Sequence, residues 1–134
     1  MDVTKGHKGK IIKVLLVKTS MDGHWRGLGV VSTALRNAGM EVIYGGVMDA
    51  AQIVTAAKQE DVDVIGMNIG GGYENARQVM EMLGKEKGFH PVVVAGGTIP
   101  QVDIPELKKL GIEVFPPGSR LDSIVQYIES ATAK

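Results

Sequence analysis

The sequence predicts an α/β fold in which a parallel sheet carries helices on both faces. The first observation is that short apolar, β-branched runs alternate five times with longer amphipathic runs. The second is that glycine or polar clusters follow most of the apolar runs, where strands would turn into helices. The third is the length of 134 residues, which suits one domain. Strands that alternate with helices in this way join by right-handed crossovers.

Five short runs rich in β-branched residues are predicted as strands. In chain order they are residues 11–17, 41–44, 62–68, 91–95 and 112–115. Lys13 interrupts the first run and is expected to point off the end or edge of the sheet. The pair Gly45-Gly46 is expected to end the second strand.

Five helices are predicted between the strands, because apolar residues recur there at helical spacing. They cover residues 28–38, the segment after residue 49, residues 74–87, the segment after residue 103 and the segment after residue 119. Asp49, Asp103 and Ser119 are expected to cap the starts of their helices. Gly39 and Gly111 are expected to end theirs.

Five strand–helix units in this length fit the flavodoxin-like strand order 2-1-3-4-5. The loops after strands 1, 3, 4 and 5 then share one edge of the sheet. These loops are residues 18–27, 68–73, 96–100 and 116–119. Glycine is common in ordinary turns between strands and helices, but three glycine-rich loops at one edge favour a groove where a large ligand approaches the backbone.

Composition excludes several classes of protein. The charges balance, 15 basic against 15 acidic, and aromatic residues make up 4%, so nothing indicates a nucleic-acid partner. The absence of cysteine excludes disulfides and thiolate metal sites. The first ten residues are polar and basic, so a flexible tail is expected there rather than a signal peptide, with one domain over residues 11–134. Because no apolar run approaches membrane-spanning length, we expect a cytoplasmic protein and no membrane partner.

The loop after the first strand carries the candidate chemistry. A metal-bound imidazole needs an acceptor for its other N–H group. Asp22 is positioned in sequence to hold His24 in this way, and Lys18 to keep Asp22 ionised. From spacing alone, Asp22 as a helix cap beside a solvated His24 is the simpler interpretation, because Asp-x-His is a weak motif. A zinc site is disfavoured, because zinc needs three or four ligands and the other histidines lie elsewhere.

Residues 22–27, Asp-Gly-His-Trp-Arg-Gly, resemble the Asp-x-His-x-x-Gly signature of cobalamin-binding domains. The resemblance extends over nearly the whole chain from residue 11, with further support at residues 37–44, 59–66 and 95–100. It is strongest for the small subunit, or C-terminal domain, of acyl-CoA mutases such as methylmalonyl-CoA mutase. It implies an adenosylcobalamin cofactor whose dimethylbenzimidazole base is displaced from cobalt by a protein histidine.

The resemblance implies a role for each loop. His24 is expected to be the metal ligand on cobalt, with Asp22 orienting it and Lys18 supporting Asp22. The corrin-facing loop is expected to include Gly23, Arg26 and Gly27. The displaced nucleotide tail is expected in a slot between the sheet and its helices. The residues expected to hold it are Asn68, Ile69, Gly70, Gly71, Gly96, Gly97, Thr98, Gly118 and Ser119.

Two positions depart from the family pattern. The family usually has Ser-x-Leu after the third strand, where this chain reads Asn68-Ile69-Gly70. Asn68 keeps a hydrogen-bonding group, but Gly70 removes an apolar wall, so looser tail binding or a different lower base is expected. The acyl-CoA mutases also usually have an acidic residue where Trp25 stands.

The resemblance therefore implies the cobalamin-binding subunit of an adenosylcobalamin-dependent acyl-CoA mutase. Such a subunit is inactive without a separate (β/α)8-barrel large subunit that binds the acyl-CoA. No general acid or base is assigned to this chain. Two alternatives remain open: a corrinoid carrier for methyl transfer, and a degenerate scaffold subunit that binds no cofactor. A carrier typically has an N-terminal helical cap, for which ten polar residues are too short.

Three other functions of this fold class lack their defining residues. A phosphoacceptor receiver domain needs an aspartate at the end of strand 3, where Asn68 stands. A flavodoxin sandwiches its flavin between aromatics, for which Trp25 and Tyr73 give thin support. The Gly-x-Gly-x-x-Gly turn of dinucleotide-binding folds fails at its third glycine, where Ser32 stands.

Overall fold

The computed structural model describes residues 10–20 and 25–133, with side chains described from residue 28 onward in the first helix. The strands are β1 (Lys13–Lys18), β2 (Glu41–Val47), β3 (Val64–Ile69), β4 (Val92–Gly97) and β5 (Glu113–Val114). The helices are α1 (Trp25–Asn37), α2 (Ala50–Glu60), α3 (Glu74–Gly84), α4 (Ile104–Lys109) and α5 (Leu121–Thr132), and a 3-10 turn, Gln101–Asp103, precedes α4. The tail expected over residues 1–10 lies outside the described residues except for Lys10.

The five strands form one sheet in the order 2-1-3-4-5, and every neighbouring pair is parallel. The predicted fold class and strand order are confirmed. Leu35 of α1 and Ile128 of α5 share one core cluster with Leu16 of the sheet. Ile53 of α2 and Leu107 of α4 belong to a second cluster, which also includes α3. The helices therefore form two layers, α1 with α5 on one face and α2 to α4 on the other.

The register brings three chemically unusual residues into one row. Lys18 pairs with Asn68, and Asn68 pairs with Gly96, at the carboxyl ends of β1, β3 and β4. Side chains alternate between the faces of a sheet, so residues two apart share a face. Leu16 and Val94 lie in the cluster under α1 and α5. The row Lys18–Asn68–Gly96 therefore faces that same layer.

The second strand corrects one expectation. Gly45-Gly46 does not end it, because β2 continues to Val47. Tyr44 pairs with Leu16 and Gly46 with Val17, so Gly45 is an extra residue in the ladder. Gly46 has a φ of +79°. The glycine pair thus forms a β-bulge, which an edge strand accommodates without losing its partner.

Two expected helix caps are wrong. Asp103 lies inside the 3-10 turn and makes no side-chain cap, because the chain is already helical at this residue. Arg120, not Ser119, occupies the N-cap position of α5. The Ser119 hydroxyl instead donates to the carbonyl oxygen of Pro116 at 2.7 Å, which closes the preceding turn. Helix α3 ends at Gly84, earlier than the predicted residue 87.

Asp49 forms the predicted cap of α2 as a reciprocal pair with Gln52. Its Oδ1 accepts from the Gln52 N–H at 2.8 Å, and its own N–H donates to Gln52 Oε1 at 3.0 Å. Asp49→Ala is therefore expected to lower the free energy of unfolding by about 1 kcal/mol. Urea denaturation measures this loss. Asp49→Asn keeps an acceptor and is the control; equal losses in both variants would contradict a capping role.

Candidate cofactor-binding site

A cavity of about 430 Å³ opens between the sheet and helices α1 and α5, at the carboxyl ends of the strands. This size suits a small organic ligand or part of a larger one. The sheet and its loops contribute Leu16, Gly66, Met67, Asn68, Val94, Ala95, Gly96, Gly97, Thr98, Phe115, Pro116, Pro117, Gly118 and Ser119. The helices contribute Leu28, Val30, Val31, Leu121 and Ile124. The walls are therefore mostly apolar, with a few polar groups near the strand ends.

Two glycines of the sheet lie at this cavity, and one of them leaves open space. Gly66 and Gly96 both belong to rows that face α1 and α5. A Cβ atom on Gly66 would come within 2.6 Å of Leu16 Cδ2, so the Leu16 side chain lies over this glycine. Among the described residues, a Cβ atom on Gly96 would meet only the Phe115 carbonyl oxygen, at 3.4 Å. A larger residue at Gly96 would therefore fill space between the sheet and its helices, whereas the space over Gly66 is already filled by Leu16.

Gly97 is required by the backbone itself. Its φ is +106°, a conformation that only glycine adopts readily. A Cβ atom here would also lie 2.9 Å from the Ile69 backbone nitrogen and closer still to its carbonyl oxygen. The same carbonyl accepts a hydrogen bond from the Thr98 N–H at 2.9 Å. Gly97 therefore lets the loop after β4 fold tightly against the end of β3.

Asn68 is the polar group that the sheet presents to the cavity. Its side chain is 9% exposed and lines the cavity. Its main chain is fixed, because its carbonyl oxygen accepts from the Thr19 N–H at 3.1 Å. Its Oδ1 is buried and accepts no hydrogen bond from any residue in the described ranges. An unpartnered buried oxygen costs about 1–3 kcal/mol, so a bound molecule that donates to it would be stabilised here.

Lys18 is a buried cation in the same row. It is 1% exposed at the end of β1, where a charge is tolerated only if it is paired and hydrogen-bonded. Two contacts hold the next residues against the loop after β3. Ser20 Oγ donates to the Gly70 carbonyl at 3.1 Å, and Asn75 Nδ2 donates to the Thr19 carbonyl at 3.1 Å. The chain that follows β1 is therefore held against the loop after β3 and the first turn of α3.

The structure brings together six of the predicted tail-binding residues. Asn68, Gly96, Gly97, Thr98, Gly118 and Ser119 all line the cavity. Ile69 does not, because it points into the core on the opposite face. Gly70 and Gly71 lead away toward α3; Gly70 holds Ser20, and Gly71 is exposed. Three predicted residues, Asp22, Gly23 and His24, lie outside the described residues. Arg26 and Gly27 lie in the first turn of α1.

Gly66 is the principal site residue that sequence reasoning missed. It interrupts the otherwise apolar run of β3, and an isolated glycine inside a strand is a signal for a close approach of another group. The sequence carries no comparable signal for the apolar wall residues on α1 and α5. Their helical spacing does not distinguish a side chain that packs on the sheet from one that borders a cavity.

One titratable group lies behind the cavity wall. The ring of Tyr127 meets the ring of Phe115 edge-on, with centroids 5.9 Å apart. Burial, and secondarily the charge of Glu113, raises the pKa of the Tyr127 phenol above its ordinary value. Tyr127 therefore stays neutral under physiological conditions, and this wall of the cavity gains no charge from it.

Among residues 10–20 and 25–133, no group of three or more His, Cys, Asp or Glu residues is placed to hold a metal ion. In those same ranges, no helix combines the length and apolarity needed to cross a membrane.

Comparison with known proteins identifies relatives along the whole chain. It is 38% identical over 131 residues to the 2-hydroxyisobutanoyl-CoA mutase small subunit of Aquincola tertiaricarbonis, covering 92% of this chain and 96% of that protein. It is 36% identical over 126 residues to the pivalyl-CoA mutase small subunit of Xanthobacter autotrophicus, covering 92% and 85%. A methylmalonyl-CoA mutase of Cereibacter sphaeroides is 33% identical over 126 residues, which span 90% of this chain and 18% of that enzyme.

Solved structures agree with the fold. The methanol:cobalamin methyltransferase complex of Methanosarcina barkeri superposes with a TM-score of 0.71 at 19% identity, covering 91% of this chain and 48% of that one. At this identity the likeness concerns the fold alone. A family model is more specific: that of the B12 binding domain matches residues 12–125. The resemblance drawn from residues 22–27 is thereby confirmed, and the chain belongs to the B12-binding domain family.

Proposed function

We propose that this chain is the cobalamin-binding subunit of an adenosylcobalamin-dependent acyl-CoA mutase. The observation that carries the proposal is the cavity between the sheet and helices α1 and α5, beside the end of β1. Two relatives that match this chain over most of their own length are small subunits of CoA mutases, which supports the same assignment.

The residues present fit a bulky, mostly apolar group that carries hydrogen-bonding atoms. Gly96 leaves room for it, and Asn68 Oδ1 is buried with no partner in the described part of the chain. His24 would ligate the cobalt. Gly23, Arg26 and Gly27 would face the corrin. The nucleotide tail would contact Asn68, Gly96, Gly97, Thr98, Gly118 and Ser119. When bound, adenosylcobalamin supplies a carbon-centred radical through homolysis of its cobalt–carbon bond.

Lys18 and Asp22 would act on His24 rather than on substrate. A buried ammonium at Lys18 favours an ionised carboxylate beside it, because each charge lowers the cost of burying the other. An ionised Asp22 would accept the His24 N–H that faces away from the metal. It would thereby fix the orientation of the imidazole and raise its basicity. This relay would set how strongly the protein donates to cobalt.

The reaction on the acyl-CoA would take place in a separate large subunit. We propose that this partner is a (β/α)8 barrel and that the complex is cytoplasmic. Because this chain supplies neither the acyl-CoA site nor a general acid or base, it would be inactive alone. Its apolar cavity walls would exclude water from the nucleotide tail, and its first loop would orient the corrin toward the partner.

A cobalamin titration of the full chain tests the proposal. The absorbance spectrum follows binding, and electron paramagnetic resonance of the cob(II)alamin form reports the axial nitrogen. We expect superhyperfine coupling from a protein imidazole, lost in His24→Ala. His90→Ala is the matched control, because His90 is exposed before β4, at the other end of the strands. Base-on binding that is identical in the wild type and His24→Ala would contradict the proposal, and so would no binding even with a large subunit present.

A further inference from the structure

Asn68 presents a group that a benzimidazole tail does not satisfy. Its amide contains two N–H donors and one carbonyl acceptor. In the described part of the chain, Oδ1 is buried without a donor, although the side chain lines the cavity. The lower base of cobalamin, dimethylbenzimidazole, offers a ring nitrogen that accepts but no N–H group that donates. That base can use the amide nitrogen of Asn68 and still leaves the oxygen unpartnered.

We propose that Asn68 makes this site selective for cobamides whose lower base carries an exocyclic amine next to a ring nitrogen, as adenine does. The inference rests on the proposed function. A base of this kind donates to Oδ1 and accepts from Nδ2 at the same time. In DNA, asparagine recognises adenine by a two-point pairing with N6 and N7. Where a cobamide links its ribose to N7, the exocyclic amine and N1 offer the same two groups. Because rotation about χ2 exchanges the amide oxygen and nitrogen, either order of the two groups along the base is matched.

The surroundings of Asn68 leave room for a base to reach the amide. A Cβ atom on Gly97 would lie 3.2 Å from Asn68 Oδ1, so a side chain at that position would press against the oxygen. Gly96, the partner of Asn68 in the register, likewise has no side chain over the cavity. Both glycines lie on β4, which forms one border of the cavity. The amide of Asn68 is therefore bordered on the β4 side by backbone alone, and the proposed lower base would lie on that side.

The test compares two cobamides that differ only in the lower base, dimethylbenzimidazole or adenine, with the same upper ligand and cobalt oxidation state. Dissociation constants are measured from the absorbance spectrum for the wild type, Asn68→Leu and Asn68→Ser. In the free cobamides the two lower bases dissociate from cobalt to different extents, and this difference alone affects the measured dissociation constants. The tested quantity is therefore the change in the ratio of the two constants between the wild type and each variant. Asn37→Leu, an exposed position on α1, is the control.

We expect Asn68→Leu to reduce the preference for the adenine-bearing cobamide by about tenfold or more, the size of one two-point contact. Asn68→Ser should lose the same preference, because a hydroxyl cannot make the two-point contact. Without any cobamide, Asn68→Leu should unfold at the same or higher urea concentration than the wild type, because it removes the unpartnered oxygen.

The outcomes separate this inference from the function on which it rests. A ratio unchanged in Asn68→Leu, with binding of both cobamides still dependent on His24, overturns the selectivity and leaves the proposed function intact. A lower unfolding midpoint in Asn68→Leu also overturns it, because the amide would then stabilise the empty chain. If neither cobamide binds in a His24-dependent way, the proposed function fails, and the selectivity fails with it.

Discussion

Gly97→Ala is expected to lower the free energy of unfolding by about 2–5 kcal/mol, a large part of the stability of a domain of this size. Two effects add. The φ of +106° is strained for any residue with a Cβ atom, and that atom would press against the backbone of Ile69. The Ile69 backbone belongs to the central ladder of the sheet, where it pairs with Gly97 itself. Movement there breaks hydrogen bonds rather than rotating a side chain.

Urea denaturation of Gly97→Ala measures the loss, and two controls separate its causes. Gly71 has a φ of +79° with open space around it, so Gly71→Ala tests conformational strain alone. Gly96→Ala places a methyl group beside Gly97 without a positive φ or a close backbone contact. We expect about 1 kcal/mol for the first and a near-neutral result for the second. A loss in Gly97→Ala no larger than that in Gly71→Ala would contradict the backbone clash.

Gly96→Val is expected to weaken cobalamin binding by about 10- to 100-fold, while the chain still folds. Valine suits a strand, and its Cβ atom would meet only the Phe115 carbonyl oxygen. Its methyl groups would then project into the cavity between β4 and helices α1 and α5. A ligand in this space must give up volume or displace a helix, and either change costs binding energy.

The titration described for His24 also measures this effect. Gly72→Val is the matched control, because Gly72 is an exposed loop residue with nothing within 4 Å of an added Cβ atom. Circular dichroism establishes that both variants fold. Unchanged cobalamin affinity in a folded Gly96→Val variant would exclude the cavity as the place where the nucleotide tail binds.

The topology could be predicted from the sequence because it depends on a repeated pattern rather than on any single residue. The spacing of apolar residues identifies each strand–helix unit. The right-handedness of the crossovers then leaves few possible strand orders. Local rules fail where another hydrogen-bond partner competes. The local sequence Gly45-Gly46 predicts the end of a strand, but pairing with β1 keeps both glycines in the sheet as a bulge. The local sequence predicts Ser119 as a helix N-cap, but its hydroxyl donates instead to the carbonyl oxygen of Pro116.

The candidate site was predictable in part, for a similar reason. Asn68, Ile69 and Gly70 were assigned together because they form one continuous stretch of a known motif. Strand alternation separates them, so Asn68 lines the cavity and Ile69 lies in the opposite core. Gly66 was not predicted as a site residue, because the effect of a glycine depends on which side chain packs over it. Here that side chain is Leu16. Sequence patterns place residues on faces; they do not show which spaces stay empty.

The two-layer arrangement has a consequence for how such a protein changes over evolutionary time. The layer of α2, α3 and α4 packs on the sheet through one extended apolar cluster and does not border the cavity. Substitutions in that layer change the stability of the fold without changing the walls of the cavity. The layer of α1 and α5 borders the cavity, so drift in its side chains alters ligand fit while the opposite layer keeps the chain folded. One sheet thus separates a layer that only stabilises the fold from a layer that also shapes the ligand site, and ligand preference can diverge without a new fold.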